Sequence, residues 1–162
     1  MTDFAALIGC LTDGGLDFIL VGGVAATIHG SARLTRDVDV VYARNPGNIA
    51  RVCDAVGPFH PYLRGAPAGL PFTFDTATVT AGLNFTLTTE LGDLDLLGEI
   101  AGGGTYEKLI SNAVRIEVFG RACYCLSLEQ LIAAKRAAGR PRDVEAVAEL
   151  EIIRDRTNGP SK

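Results

Sequence analysis

The sequence predicts an α+β fold: a small mixed β-sheet with flanking helices, followed by helices at the C-terminal end. Three observations predict it. Short apolar or alternating runs stop at glycine turns, helical-period segments are interleaved with them, and two capped helical segments follow one another after Leu126. The 162 residues suffice for one domain with a proper core. That domain is expected over 1–156, with a core of about 16–126, C-terminal helices over 127–154 and a frayed tail at 157–162.

The elements follow in order. Phe4, Leu7, Ile8 and Leu11 recur at helical spacing before the stop signal Asp13-Gly14-Gly15. Phe18–Val21 is a continuous apolar run ending at Gly22-Gly23, and Val24–His29 reads as a helix closed by Gly30. Beyond the polar link 31–36, Asp37–Tyr42 reads as a strand whose first half alternates. Asn45 and Pro46 supply an N-cap and a first-turn proline for a helix carrying Ile49, Val52, Cys53 and Val56. Four prolines and three glycines between Gly57 and Pro71 indicate a long surface loop. Thr and aromatic residues predict strands over Phe72–Thr80 and Leu83–Thr89, and Asp93–Leu97 reads as another. Tyr106, Leu109, Ile110 and Ala113 fit a helix. Val114–Val118 and Ala122–Leu126 fit a hairpin turning at Phe119-Gly120-Arg121. Ser127 and Gln130 form a capping box for a helix through Ala138, and Gly139 stops it. Pro141 opens a last helix to about Arg154.

Composition excludes several classes. A formal net charge of −4 argues against a coat protein held to nucleic acid by bulk charge. Cys10, Cys53, Cys123 and Cys125 are scattered, no secretory leader is legible, and the expected compartment is cytoplasmic. Cys123 and Cys125 read as core residues, since no second Cys/His pair completes a zinc site. The apolar stretch Phe18–Ile28 is too short to span a membrane.

The chemistry lies in the acids. On a strand, Asp37 and Asp39 leave the same face while Val38 and Val40 face the core. Taken alone, such a pair reads more readily as a solvated strand edge. Asp93-Leu94-Asp95 repeats the pattern and offers a third carboxylate. Oxygen donors at that density suit Mg²⁺ or Mn²⁺. Between Arg64 and Lys108 there are six acids and no base, so no residue within that stretch neutralises Asp93 or Asp95; a metal or water is expected to do so. Gly22-Gly23 permits close approach of an anion or, more simply, serves a tight turn. Together, an anion cradle and three acids are the parts needed to hold a metal-bound triphosphate for in-line displacement.

The run Val21–Gly30, followed by Arg33, Thr35, Arg36 and Asp37-Val38-Asp39, resembles the opening motif of the DNA polymerase β-type nucleotidyltransferase superfamily, closest to its small AbiEii-like members, many of them toxins of toxin–antitoxin pairs. Leu128–Leu150, with Lys135, Arg140, Arg142 and Asp143, is similar to that group's late Lys…Arg-x-Lys/Arg-Asp motif. The resemblance implies a nucleotidyltransferase fold and transfer of a nucleoside monophosphate from an NTP to a hydroxyl of RNA, protein or a small molecule. It implies metal ligation and catalysis by Asp37, Asp39 and Asp95, and nucleotide contacts from Gly22, Gly23, Lys135, Arg140 and Asp143, with an antitoxin as partner. Arg33 and Arg36 read as solvated loop charges or as phosphate contacts, and Lys135 without the resemblance would be a solvent residue. Relatives often carry serine where Gly23 stands, so Gly23→Ser is expected to be tolerated. Twelve arginines against three lysines include Arg33, Arg36, Arg136, Arg140 and Arg142, a candidate RNA-facing patch. The alternative is a nucleotide-binding or protein-interaction module that keeps the fold without turnover.

Overall fold

A continuous apolar strand is buried on both faces only inside a sheet, and in the computed structural model, which describes residues 1–159, β1 (Phe18–Val21) lies there with all four residues buried. It runs antiparallel to β2 (Asp37–Tyr42) and parallel to β9 (Arg121–Cys125). Beyond β2 come β5 (Gly92–Leu97), parallel to it, then β4 (Phe85–Thr89) and the two-residue β3 (Tyr62–Leu63), each antiparallel to its neighbour. β8 (Val114–Val118) closes the other edge, giving a mixed seven-stranded sheet in the order β3-β4-β5-β2-β1-β9-β8. A separate ribbon pairs β6 (Glu99–Ile100) with β7 (Gly104–Thr105).

Helix α1 (Phe4–Asp13) is capped by Asp3, whose side chain accepts from Ala6 N–H, and buries Leu7, Ile8 and Leu11. It packs on the sheet and against α3 (Pro46–Val56), which begins at the predicted Asn45 cap and carries α4 (Thr76–Ala81). The other helical group is α2 (Gly22–Ile28), α6 (Leu128–Ala138) and α7 (Pro141–Asn158), packed in series. Ser127 and Gln130 form their capping box, and Gly139 ends α6 at a φ of +65°. Asn48 is fully buried: its amide donates to the carbonyls of Asp17 and Ala43, and its Oδ1 accepts from Asp17 N–H, tying the start of β1 to the end of β2.

Five readings are corrected. Phe72–Thr80 is no strand: Asp75 accepts from Thr78 N–H at 2.8 Å and caps α4, so a local cap overrides the β-branched composition while Val79 is buried. The loop 57–71 contains a 3₁₀ turn at Gly57–Phe59 and the edge strand β3. The helix around Tyr106 is one short turn, α5 (Tyr106–Leu109), continued as 3₁₀ to Asn112. The last helix reaches Asn158, so the frayed tail placed at 157–162 is helical at its first two residues. Residues 160–162 of that tail lie outside the described residues. The hairpin turns on Phe119 and Gly120 alone, both with positive φ, and Arg121 already pairs with Val118.

Candidate active site

Parallel pairing of β2 and β5 sets Asp37 beside Asp93 and Asp39 beside Asp95. Because side chains alternate, all four carboxylates leave one face while Val38, Val40, Leu94 and Leu96, each fully buried, leave the other. One carboxylate oxygen from each of Asp37, Asp39 and Asp95 lies within 4.8 Å of the others. Like charges so close oppose ionisation. Burial, then the charges of Asp37 and Asp95, push the Asp39 carboxyl up to about 8. Burial and Asp95 also raise Asp37, against the pull of Arg64.

The three acids fit a divalent cation. Among the described residues Asp39 Oδ1 is buried without a hydrogen-bond partner, and a set of carboxylate oxygens matches the preference of Mg²⁺ and Mn²⁺.

Gly22 opens α2 at a φ of +63°, and a Cβ there would collide with the Asp39 carboxylate; the glycine lets the main chain pass against the acid. The constraint at Gly23 is different. A Cβ would sit 2.5 Å from Thr35 Oγ1 and 2.6 Å from Thr35 Cβ, and threonine is too short and stiff to yield cheaply. The expected tolerance of Gly23→Ser is therefore corrected: Thr35, whose hydroxyl donates to Asp37 O, must move first.

A cleft of about 260 Å³ opens beside the acids, lined by Gly22, Asp39, Leu97, Ile100, Leu131, Lys135 and Arg140. Lys135 stands 3.6 Å from Asp143, and Arg140 holds the same carboxylate at 2.6 Å. Asp143 is 1% exposed and its carboxyl is lowered, first by the Arg140 hydrogen bond. Asp143 thus anchors Lys135 at the cleft rather than facing it.

The other predicted residues lie elsewhere. Gly23 and Arg33 line a neighbouring hollow with Asp143, and Arg33 pairs with Glu145 and Glu149 of α7. Arg36 lies by Asp93 and the N-terminal Met1-Thr2, with no ion-pair partner among the described residues. Of the arginines read as one patch, Arg136 pairs with Glu151 and Arg140 with Asp143, so Arg33, Arg136 and Arg140 are all neutralised by acids of α7.

Sequence reasoning missed Arg64. Its Nη2 donates to Asp95 Oδ1 at 2.7 Å and to Leu87 O at 2.7 Å, Nη1 lies 3.5 Å from Asp37 Oδ2, and Nε lies 3.4 Å from Asp93 Oδ2. The expectation that only metal or water would neutralise Asp93 and Asp95 is corrected. The base bounding the acidic stretch does so, because β3 pairs with β4 and returns it to the cluster. An arginine within a turn-rich segment leading into a base-free run of acids was the available signal.

No protein-family model and no curated protein matches the chain. Solved structures do resemble it. The lincosamide antibiotic adenylyltransferase LnuA, with lincomycin bound, is 15% identical with a TM-score of 0.59, covering 91% of this chain and 93% of its own. A candidate nucleotidyltransferase from Thermotoga maritima is 13% identical with a TM-score of 0.57, over 94% and 96%. A nucleotidyltransferase-like antigenic protein of Paracoccidioides brasiliensis is 14% identical with a TM-score of 0.52, over 90% and 72%. These likenesses show that the fold is that of the nucleotidyltransferases.

Proposed function

We propose that the chain transfers a nucleoside monophosphate from an NTP to an acceptor hydroxyl and releases pyrophosphate. The observation that carries this reading is the convergence of Asp37, Asp39 and Asp95 around the unpartnered Asp39 Oδ1, on a nucleotidyltransferase fold and beside a cleft holding Lys135. Asp37, Asp39 and Asp95 would hold Mg²⁺ or Mn²⁺, which when bound supplies charge stabilisation at the transferring phosphoryl group. In the reaction the acceptor oxygen bonds to the α-phosphorus, the bond from that phosphorus to the bridging oxygen breaks, and pyrophosphate leaves with that electron pair. Asp95 accepts the hydroxyl proton. Lys135, held by Asp143, meets the phosphates, and Gly22 keeps the main chain low beside them.

A small-molecule acceptor is favoured among the three expected classes. LnuA, an antibiotic adenylyltransferase, matches nearly the whole chain in fold, and the arginines of the expected RNA-facing patch are largely paired with acids. The AbiEii-like reading, with a toxin role and an antitoxin partner, rests on the two sequence motifs. A soluble, cytoplasmic setting is consistent with the finding that no helix among the described residues is long and apolar enough to cross a membrane. One observation favours a second reading, a non-catalytic module of the same fold: Arg64 already neutralises two of the three acids.

Transfer of label from each α-labelled NTP, with Mg²⁺, to small hydroxyl compounds, RNA and protein tests the proposal. Transfer abolished by Asp37→Asn and by Asp39→Asn is expected. Lys135→Met should raise KM for the NTP. Absence of any NTP consumption by the wild type would favour the module.

A further inference from the structure

Arg64 is the one cation within ion-pair distance of Asp37, Asp93 and Asp95 among the described residues, and the proposed reaction does not use it. We propose that Arg64 is an internal counter-cation that competes with the divalent metal for Asp37 and Asp95, so that metal binding is coupled to release of its guanidinium. This rests on reading those acids as metal ligands.

The competition follows from shared carboxylates. Asp95 Oδ1 already accepts the Nη2 hydrogen bond at 2.7 Å, and Asp37 Oδ2 faces Nη1 at 3.5 Å. A cation about 2.1 Å from either oxygen would lie within a few ångströms of the guanidinium charge. With only 27% of the Arg64 side chain exposed, water screens that repulsion poorly. Asp39 makes no hydrogen bond or ion pair with Arg64, and its unpartnered Oδ1 leaves one corner of the triad open. The cluster is therefore prepared for a metal on the Asp39 side and filled by the protein's own cation on the other.

Arg64 follows directly on β3, at the edge of the sheet. This strand is two residues long and, among the described residues, pairs with β4 alone. Beyond it, Gly65 and Gly69 adopt positive φ and most of 65–71 is exposed. The hydrogen bonds there, from Arg64 N–H to Thr86 O and between the Tyr62 hydroxyl and Pro67 and Leu70, hold the backbone, so the exchange falls to the Arg64 side chain. Without metal, the guanidinium offsets the repulsion among four carboxylates. With metal, that role lapses and the side chain is set free.

Titration with Mn²⁺ alone, without nucleotide, tests the affinity half. Arg64→Gln should bind Mn²⁺ at least tenfold more tightly than wild type. Arg64→Lys, which cannot span three carboxylates, should fall between. Arg115→Gln, an exposed change of equal charge on the opposite edge strand, should alter affinity no more than twofold. The second half needs no variant, because Arg64-Gly65 is itself a tryptic site. Saturating Mn²⁺ should raise cleavage at that bond several-fold relative to cleavage after exposed Arg156, with fragments identified by mass. Equal Mn²⁺ affinity in wild type and Arg64→Gln, or unchanged cleavage in the metal-saturated wild type, overturns the competition while leaving the metal site standing. Absence of Mn²⁺ binding in both proteins overturns the metal reading and the competition with it.

Discussion

Replacing Asp39 by asparagine should stabilise the metal-free protein at neutral pH and leave it unchanged near pH 4. The Asp39 carboxyl is pushed from 3.8 to about 8, first by burial and then by Asp37 and Asp95, with Lys135 opposing. A folded-state value above the unfolded one means that the folded chain holds its proton where the unfolded chain has lost it. Stability therefore falls as pH rises from about 4 to 8, then levels. At pH 7 the full shift corresponds to at most about 4 kcal/mol. Asp39 keeps some contact with water, so about half, ~2 kcal/mol, is the expected gain. For a chain of this size that raises Tm by roughly 4–8 °C. Asparagine keeps the shape and can still donate to Asp95, which isolates the charge. The assay is thermal unfolding of both proteins in chelator from pH 4 to 8. Repeated with Mg²⁺ at ten times its Kd, wild type should gain about 1.4 kcal/mol and the variant none. Parallel stability curves, or equal gains from Mg²⁺, would refute the idea that carboxylate repulsion at Asp39 is relieved by a cation.

Three further outcomes are expected. Asp95→Asn should remove nucleotidyl transfer while leaving NTP affinity within a few-fold in calorimetric titration, since it deletes the proton acceptor rather than a triphosphate contact. Gly23→Ser should destabilise the fold by about 1–3 kcal/mol in denaturant unfolding, because its Cβ displaces Thr35. Asn48→Ala should cost about 2–3 kcal/mol by the same measurement, because it leaves the Asp17 N–H and the Ala43 and Asp17 carbonyls without their partner.

The parts of this molecule legible in the sequence are those whose signals are local. Asn45-Pro46, Ser127 with Gln130, and Gly139 each fix a helix end within a few residues, and all three stand where the chain puts them. The alternation in 37–40 and 93–96 is equally local, and it placed the acids on one face before their strands were known to be neighbours. Phe72–Thr80 misled because β-branched residues favour a strand only when a partner strand is available, whereas Asp75 caps a helix unaided. Gly23 misled because its neighbour is Thr35, a contact made as the chain leaves α2 and turns back in the link before β2. Arg64 escaped for the same reason: its partners lie 27, 29 and 31 positions away and meet it only through the β3–β4–β5–β2 order.

The cluster cannot be explained by stability. Four carboxylates share one face of two adjoining strands, a buried oxygen of Asp39 has no partner, and one arginine serves three of the acids. Asparagine or threonine at Asp39 would keep the strand and remove the repulsion, yet the chain carries an aspartate there and a glycine at positive φ against its carboxylate. A fold that accepts a destabilising acid, a glycine to accommodate it and a distant arginine to offset its neighbours has a use for concentrated negative charge. The use we propose for it is a cation at Asp37, Asp39 and Asp95. On the same proposal Lys135, held beside the cleft by the buried Asp143, supplies the positive charge that a nucleotide's phosphates require.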